Sequence, residues 1–177
     1  IVPQSDKASP AEIHQTLSLL LAQLTLRPAH REHLRSPKRG LSDEHIESLG
    51  FKSTPPPFLC RSITARLIKM GCKVEGVPGF YRDDCGYWTM AFYKKTSGIL
   101  IPGVGFDCRL QGIQIMLDVP LKDKDDPPEK AGAKYIWFSS SSKREGASSG
   151  RHVLIVCDPS KIVVYVIKRL LKDDISH

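Results

Sequence analysis

The amino-acid sequence predicts an α+β fold: N-terminal helices, then a mixed, mainly antiparallel sheet, and at the end one strand–turn–helix unit. Apolar residues recur at helical spacing over the first third of the chain. From Lys73 onward their period changes to two. After Gly150 an apolar run, a turn and an amphipathic stretch follow in the order of a parallel βα unit. Three regions result: a helical one at 1–72, a β-rich one at 73–150 and a strand–helix unit at 151–177.

The first seven residues read as a loose arm. Ser9-Pro10-Ala11-Glu12 is a helix start, with Ser at the N-cap, Pro at the first helical position and Glu at the third. Ile13, Leu17, Leu20, Leu21 and Leu24 then form one apolar stripe. Pro28 opens a second short helix through Arg35. A third spans 42–49, capped by Ser42 and ended by Gly50. Pro55, Pro56 and Pro57 break the chain. A fourth helix over 59–70 is expected to bury Leu59, Ile63, Leu67 and Met70 before Gly71 ends it.

Strands are expected at 88–93, 98–101, 110–117, 134–138 and 152–157, and a final helix at 161–171. Alternation over 110–117 places Leu110, Gly112, Gln114 and Met116 on one face. Gln111, Ile113, Ile115 and Leu117 take the other. The Lys-, Asp- and Pro-rich segment 122–132 reads as an exposed loop.

At 177 residues, 41% hydrophobic and 25% charged, the composition is that of an ordinary globular protein. The net charge of +7 and a pI near 9.2 favour a polyanionic partner. The charge is uneven. Arg27, Arg31, Arg35, Lys38, Arg39, Lys52, Arg61, Arg66, Lys69 and Lys73 face only Glu32, Asp43, Glu44 and Glu47 over the same interval. This is either a solvated helical surface or a basic face that tracks phosphates. The five cysteines contain no CxxC pair, which argues against a zinc ribbon, and their irregular spacing fits reduced thiols in a cytoplasmic protein. His30 and His33 have the i, i+3 spacing of a metal pair but no third ligand nearby, so they read as surface histidines. No apolar run is long enough for a membrane span, and the N-terminal residues lack a signal peptide's apolar core. Ile1 is not an initiator methionine, so either residues were removed or the chain is a segment of a longer one.

The stretch from Gly98 to Gly150 carries most of the chemical signal. Glycines and serines beside Lys134, Lys143, Arg144 and Arg151 would let a phosphate backbone approach closely, with neutralising charge at hand. Tyr135 and Trp137 alternate with Lys134 and Ile136. On an open face they would stack bases; otherwise Trp137 and Phe138 belong to the core, as do Trp88, Phe92 and Tyr93.

Several segments, in this order, resemble the catalytic region of bacterial-type DNA primases. They are HLRSPKRGLSDEHIESLGF (33–51), VPGFY (77–81), GILIPGVGFDCRLQGIQIMLD (98–118), AKYIWFSSSS (133–142) and HVLIVCDPSK (152–161). The resemblance covers the part that precedes and enters the toprim fold. It is closer still to a primase-like, toprim-associated family of phages, plasmids and integrative elements. It implies that 73–150 is a primase-like β-rich subdomain and 151–177 a degenerate toprim-like unit. It further implies that Arg39, Arg109 and Lys134 guide a single-stranded template and incoming nucleotide. Cys108 replaces the glycine that the family places before Arg109, and Met116 stands where relatives carry arginine. The toprim glutamate position is Cys157, a poor magnesium ligand. Asp158 is a weak substitute for a metal ligand, and Asp173-Asp174 reads as a solvated helix end. Cys157 itself reads as a small residue filling a turn or as a thiol activated by a helix N-terminus.

The expected function is therefore a non-catalytic module that holds single-stranded DNA or RNA. Phosphate contacts are expected from Arg39, Arg61, Arg66, Arg109, Lys134, Lys143 and Arg144, and stacking from Tyr135. No cofactor is expected, with Mg²⁺ required only if the chain is enzymatic. One alternative is a mobile-element inhibitor of host defence, anti-CRISPR-like, acting on a host or phage nucleoprotein. Another is a fragment of a longer primase, or a metal-dependent nuclease with His152 as general base.

Overall fold

A computed structural model describes residues 2–150. The strand and helix expected after Gly150 lie outside them, as do Arg151, His152, Cys157, Asp158 and Asp173-Asp174. Local signals fix the first helices. The Ser9 hydroxyl accepts the Glu12 N–H at 3.2 Å, and the Glu12 carboxylate accepts the Ser9 N–H at 2.8 Å. That reciprocal cap starts α1, Pro10–Ala22. The stripe Ile13, Leu17, Leu20 and Leu21 is buried, and so is Leu24 just beyond. α2 is Pro28–Arg35. α3 is Asp43–Leu49, capped by the Ser42 hydroxyl and ended by Gly50 at φ 72°.

The fourth helix, α4, is Cys60–Lys69, because the chain before it winds into a 3-10 turn at Pro57–Leu59. Its buried face is Cys60, Ile63, Thr64 and Leu67, whereas Leu59 and Met70 are exposed. The inward stripe thus starts one residue later than expected. Thr64 fits it because its hydroxyl donates to the Cys60 carbonyl at 2.7 Å. Burial pushes the Cys60 thiol up to about 11.

The main sheet has the order β1 (Lys52–Ser53), β4 (Gly98–Val104), β5 (Leu110–Leu121) and β6 (Ala133–Trp137), all pairs antiparallel. A separate hairpin pairs β2 (Phe80–Arg82) with β3 (Trp88–Met90). β1 and β2 are too short to leave a period in the sequence. The strand expected over 88–93 stops at Met90. The Phe92 N–H turns back to the Met90 carbonyl, and residues 94–96 form a 3-10 turn. β4 continues through Pro102, where β1 no longer pairs with it, so no ladder bond is lost on that side. Residues 122–131 are almost wholly exposed.

One register shift changes a face assignment. Gly103 pairs with Gly112 and Val104 with Leu110, leaving Gln111 as an extra residue on β5. That bulge reverses the parity of the strand. Leu110 therefore joins Ile113, Ile115 and Leu117 in one core and not the face of Met116. This core lies against α1, α4 and the β2–β3 hairpin. On the other face Ile99 and Met116 pack with Leu34, Ile46 and Phe51 around α2 and α3.

The arm is not loose. Glu145 N–H donates to the Pro3 carbonyl at 2.7 Å and Ser5 N–H to the Gly146 carbonyl at 3.1 Å, around a parallel bridge from Gln4 to Gly146. Ala8 N–H reaches the Gly76 carbonyl at 2.9 Å. Backbone pairing of this kind needs no apolar pattern, so the sequence does not announce it.

The serine run is also partly structural. Ser140 is 1% exposed. Its oxygen accepts the Gly79 N–H at 3.2 Å and the Ala147 N–H at 3.0 Å, and donates to the Phe80 carbonyl at 2.6 Å. Beside it Phe92 stacks on Phe138 with centroids 4.4 Å apart, and Phe80 meets Phe138 edge-on at 6.0 Å. Gly79, at φ 94°, leaves room for the Phe138 ring: a Cβ there would stand 2.3 Å from it.

Candidate nucleic-acid interface

α2 ends in a tight turn in which Arg39 N–H and Gly40 N–H both return to the Ser36 carbonyl. The turn lays the Arg39 side chain across β5 and β6. One guanidinium nitrogen stands 3.2 Å from the Tyr135 hydroxyl and 3.0 Å from the Met116 sulfur. Tyr135 and Met116 are cross-strand partners. The resemblance expects an arginine at 116; here that position is buried, and Arg39 lies over it from another element. Tyr135 is 42% exposed and Arg39 is exposed, so this guanidinium–hydroxyl pair faces solvent. Lys134 is exposed on β6, but strand alternation sends it to the face opposite Tyr135.

Behind this pair lies a polar knot. His30 is buried, contrary to its reading as a surface residue, because α2 turns it toward the sheet. Its Nδ1 is 2.7 Å from the Ser53 oxygen and its Nε2 2.8 Å from Asp118. The carboxylate also accepts from the Ser97 hydroxyl at 3.1 Å and stands 3.5 Å from Arg27. The groups are those of a serine–histidine–aspartate relay. Ser53, however, is buried, and its oxygen already accepts the Arg27 backbone N–H at 2.8 Å, so no substrate carbonyl can reach it. The knot instead ties α2, β1 and β5 together. No local signal could reveal it, since Asp118 is 88 positions from His30. Two shallow hollows share Asp118. One, of about 250 Å³, is lined by His30, His33, Ile99 and Met116; the other, of about 350 Å³, by Lys94, Lys95 and Ser97.

Arg61, Lys143 and Arg144 fall on a different part of the surface, around the β2–β3 hairpin. Arg61 pairs with Asp83 and stacks over the Tyr87 ring at 5.0 Å; bonding to Cys85 and Asp83 raises its pKa. The Lys143 ammonium lies 5.8 Å from the Tyr81 ring and 5.3 Å from that of Tyr93. Tyr93 is 39% exposed and so is not a core residue. Burial, with a bond to Tyr93, pushes the Tyr81 hydroxyl up to about 12, keeping it neutral. Arg82 stacks over Trp88 at 4.8 Å and pairs with Glu145, which Arg144 also approaches. Phe92 and Phe138 are buried as expected, whereas Trp88 and Trp137 are half-buried.

Besides Lys134, two predicted contacts stand apart from both groups. Arg66 bonds the Gln23 side chain at 3.2 Å on the exposed face of α4. Arg109 sits in the β4–β5 turn behind Cys108, whose φ of 60° is the left-handed conformation that glycine adopts freely. The predicted basic residues thus divide into Arg39 beside Tyr135, a cluster of Arg61, Lys143 and Arg144 at the hairpin, and three outliers, Lys134, Arg66 and Arg109. Among the described residues no group of three His, Cys, Asp or Glu is arranged to hold a metal ion, and no helix is long and apolar enough to cross a membrane.

No protein-family model matches the chain, and no curated protein matches it. Solved structures do. The RNA polymerase domain of Mycobacterium tuberculosis primase DnaG, in complex with a double-stranded DNA oligomer with a 6-nucleotide overhang, superposes with a TM-score of 0.51 at 16% identity, covering 76% of this chain and 40% of that one. A second crystal structure of the same domain gives 0.46 at 15% identity, covering 75% of this chain and 41% of that one. A DnaG primase catalytic domain bound to ssDNA gives 0.40 at 18% identity, covering 72% and 37%. At such identities the likeness is one of fold, and the chain spans about two fifths of the first domain's length. The described residues therefore have a primase-like α+β fold built on antiparallel sheets.

Proposed function

We propose that this chain is a non-catalytic, primase-derived module that holds single-stranded DNA or RNA along a basic face. The observation that carries the reading is the meeting of Arg39 and Tyr135, 96 residues apart in sequence, where an exposed guanidinium bonds the hydroxyl of an exposed ring on the sheet. A guanidinium neutralises phosphate, and a ring accepts the face of any base, so together they suit a strand held without regard to sequence. The primase polymerase domain of like fold is in complex with DNA carrying a single-stranded overhang, which supports the same ligand class. The non-catalytic part rests on Cys157, a thiol where the resemblance implies the toprim glutamate.

Fluorescence anisotropy with a labelled single strand, titrated at several salt concentrations, tests the reading. Affinity is expected to fall by about 0.7 log units per log unit of salt for each phosphate contact. Arg39→Ala lowers that slope by about one contact, and Tyr135→Ala costs about 1–3 kcal/mol of binding at every salt concentration. Salt-independent affinity, or none at low salt, overturns the reading.

A second reading, in which the chain is the template-holding part of a longer primase, is favoured by the 40% coverage of the solved polymerase domain. The full reading frame decides it. An inhibitor of a host-defence nucleoprotein would be marked by capture of a CRISPR effector without affinity for free strands.

A further inference from the structure

We infer that the β2–β3 hairpin carries a second, separate ledge on which unpaired bases of the same strand stack. This rests on the proposed single-strand ligand and extends it to a surface distinct from the Arg39–Tyr135 pair.

Four cation–ring contacts, made by three cations, lie on this small hairpin and its neighbours. Arg61 caps Tyr87, Arg82 caps Trp88, and Lys143 caps both Tyr81 and Tyr93. Tyr81 pairs with Thr89 across the hairpin, and alternation puts Tyr87 on the same side, about 7 Å further along at two residues of strand rise. One ammonium, that of Lys143, lies over both the Tyr81 and the Tyr93 ring, so these two rings are neighbours. Tyr87, Tyr81 and Tyr93 therefore form a row. Lys94 and Lys95 extend it toward the hollow shared with Asp118.

The nature of the ligand follows from what is already satisfied. Arg61 is paired with Asp83, and Arg82 with Glu145, so these cations are not the main attraction for an acidic protein segment. Ring surface is what stays open: Tyr87 is 62% exposed and Tyr93 39%, and Phe58, in the turn that leads into Arg61, is 81% exposed. Rings capped on one side by a cation, in a basic surrounding, suit bases that arrive with their own phosphates. None of Tyr81, Tyr87 or Tyr93 is needed for the Arg39–Tyr135 pair, so the two surfaces can be removed independently.

The test uses two homopolymeric single strands, about 6 and about 16 nucleotides long, spanning the usual range of site sizes. With wild type, the longer strand is expected to bind at least about a hundredfold more tightly; about tenfold of that reflects its greater number of registers on one surface, and the remainder is the gain from reaching both surfaces. Combined Tyr87→Ala and Tyr93→Ala removes that gain and leaves the short strand unchanged. Tyr87→Phe with Tyr93→Phe keeps the rings and keeps the gain, which separates stacking from hydrogen bonding and from misfolding. A gain that survives both alanine substitutions, or that vanishes in the phenylalanine pair, overturns the ledge while the short strand still reports the first surface. Absence of binding to either strand by wild type overturns the underlying single-strand reading, and the ledge with it.

Discussion

Replacing Ser140 with alanine asks how the serine-rich segment is held in place. The substitution removes one oxygen and little else. Two buried N–H groups, those of Gly79 and Ala147, lose their acceptor, and the Phe80 carbonyl loses a donor. Each stranded buried donor costs about 1–3 kcal/mol, and water cannot reach a position that is 1% exposed. The direct backbone bond from Ser140 N–H to the Ala147 carbonyl at 3.1 Å survives and limits the loss. The expected destabilisation is about 2–4 kcal/mol. Urea unfolding followed by tryptophan fluorescence reads this as a midpoint lowered by about 1–2 M with an unchanged slope. Lys143 lies on the segment that the Ser140 hydroxyl anchors to the hairpin, so affinity for the longer single strand should fall as well. A midpoint within about 0.3 M of wild type would refute the assignment of Ser140 as the joint between this segment and the hairpin.

Two further outcomes are expected. Cys108→Gly should stabilise the fold by about 1 kcal/mol, since a side chain at φ 60° is released from the left-handed penalty; a lower midpoint in the same urea titration would contradict this. The Glu12 carboxyl is held below the usual carboxylate range by the Ser9 backbone N–H and then its side chain, with Lys73 adding a smaller part. A depressed carboxyl stabilises the folded state above its unfolded pKa and loses that contribution as pH falls through the folded value. Thermal melts of wild type and Glu12→Gln should therefore differ at neutral pH and converge in acid; a constant gap across the range would rule out the capping carboxylate as its source.

What could be read from the sequence was local. Ser9 and Glu12, or Ser42 and Gly50, are a few positions apart, and their cap chemistry is the same in any fold. Lys52–Ser53 makes a strand only because Ile99 and Leu100 lie beside it. The bulge at Gln111 is invisible to a period of two, so Leu110 was expected on the wrong face. The basic residues of the candidate interface were visible as types, but their grouping was not. Arg39 meets Tyr135, and Lys143 meets Tyr81, through the antiparallel register and the turn after α2, neither of which leaves a compositional trace. His30 shows the same limit: its partners Ser53 and Asp118 are assembled by the sheet.

The bridge between Gln4 and Gly146 also sets an order of events during synthesis. The first described residues find their partners about 140 positions later, so this latch closes after nearly everything between has been made. A ribosome-bound intermediate stalled while Gly146 is still inside the exit channel should leave the leading segment open to protease, and a later stall that lets Gly146 emerge should shield it.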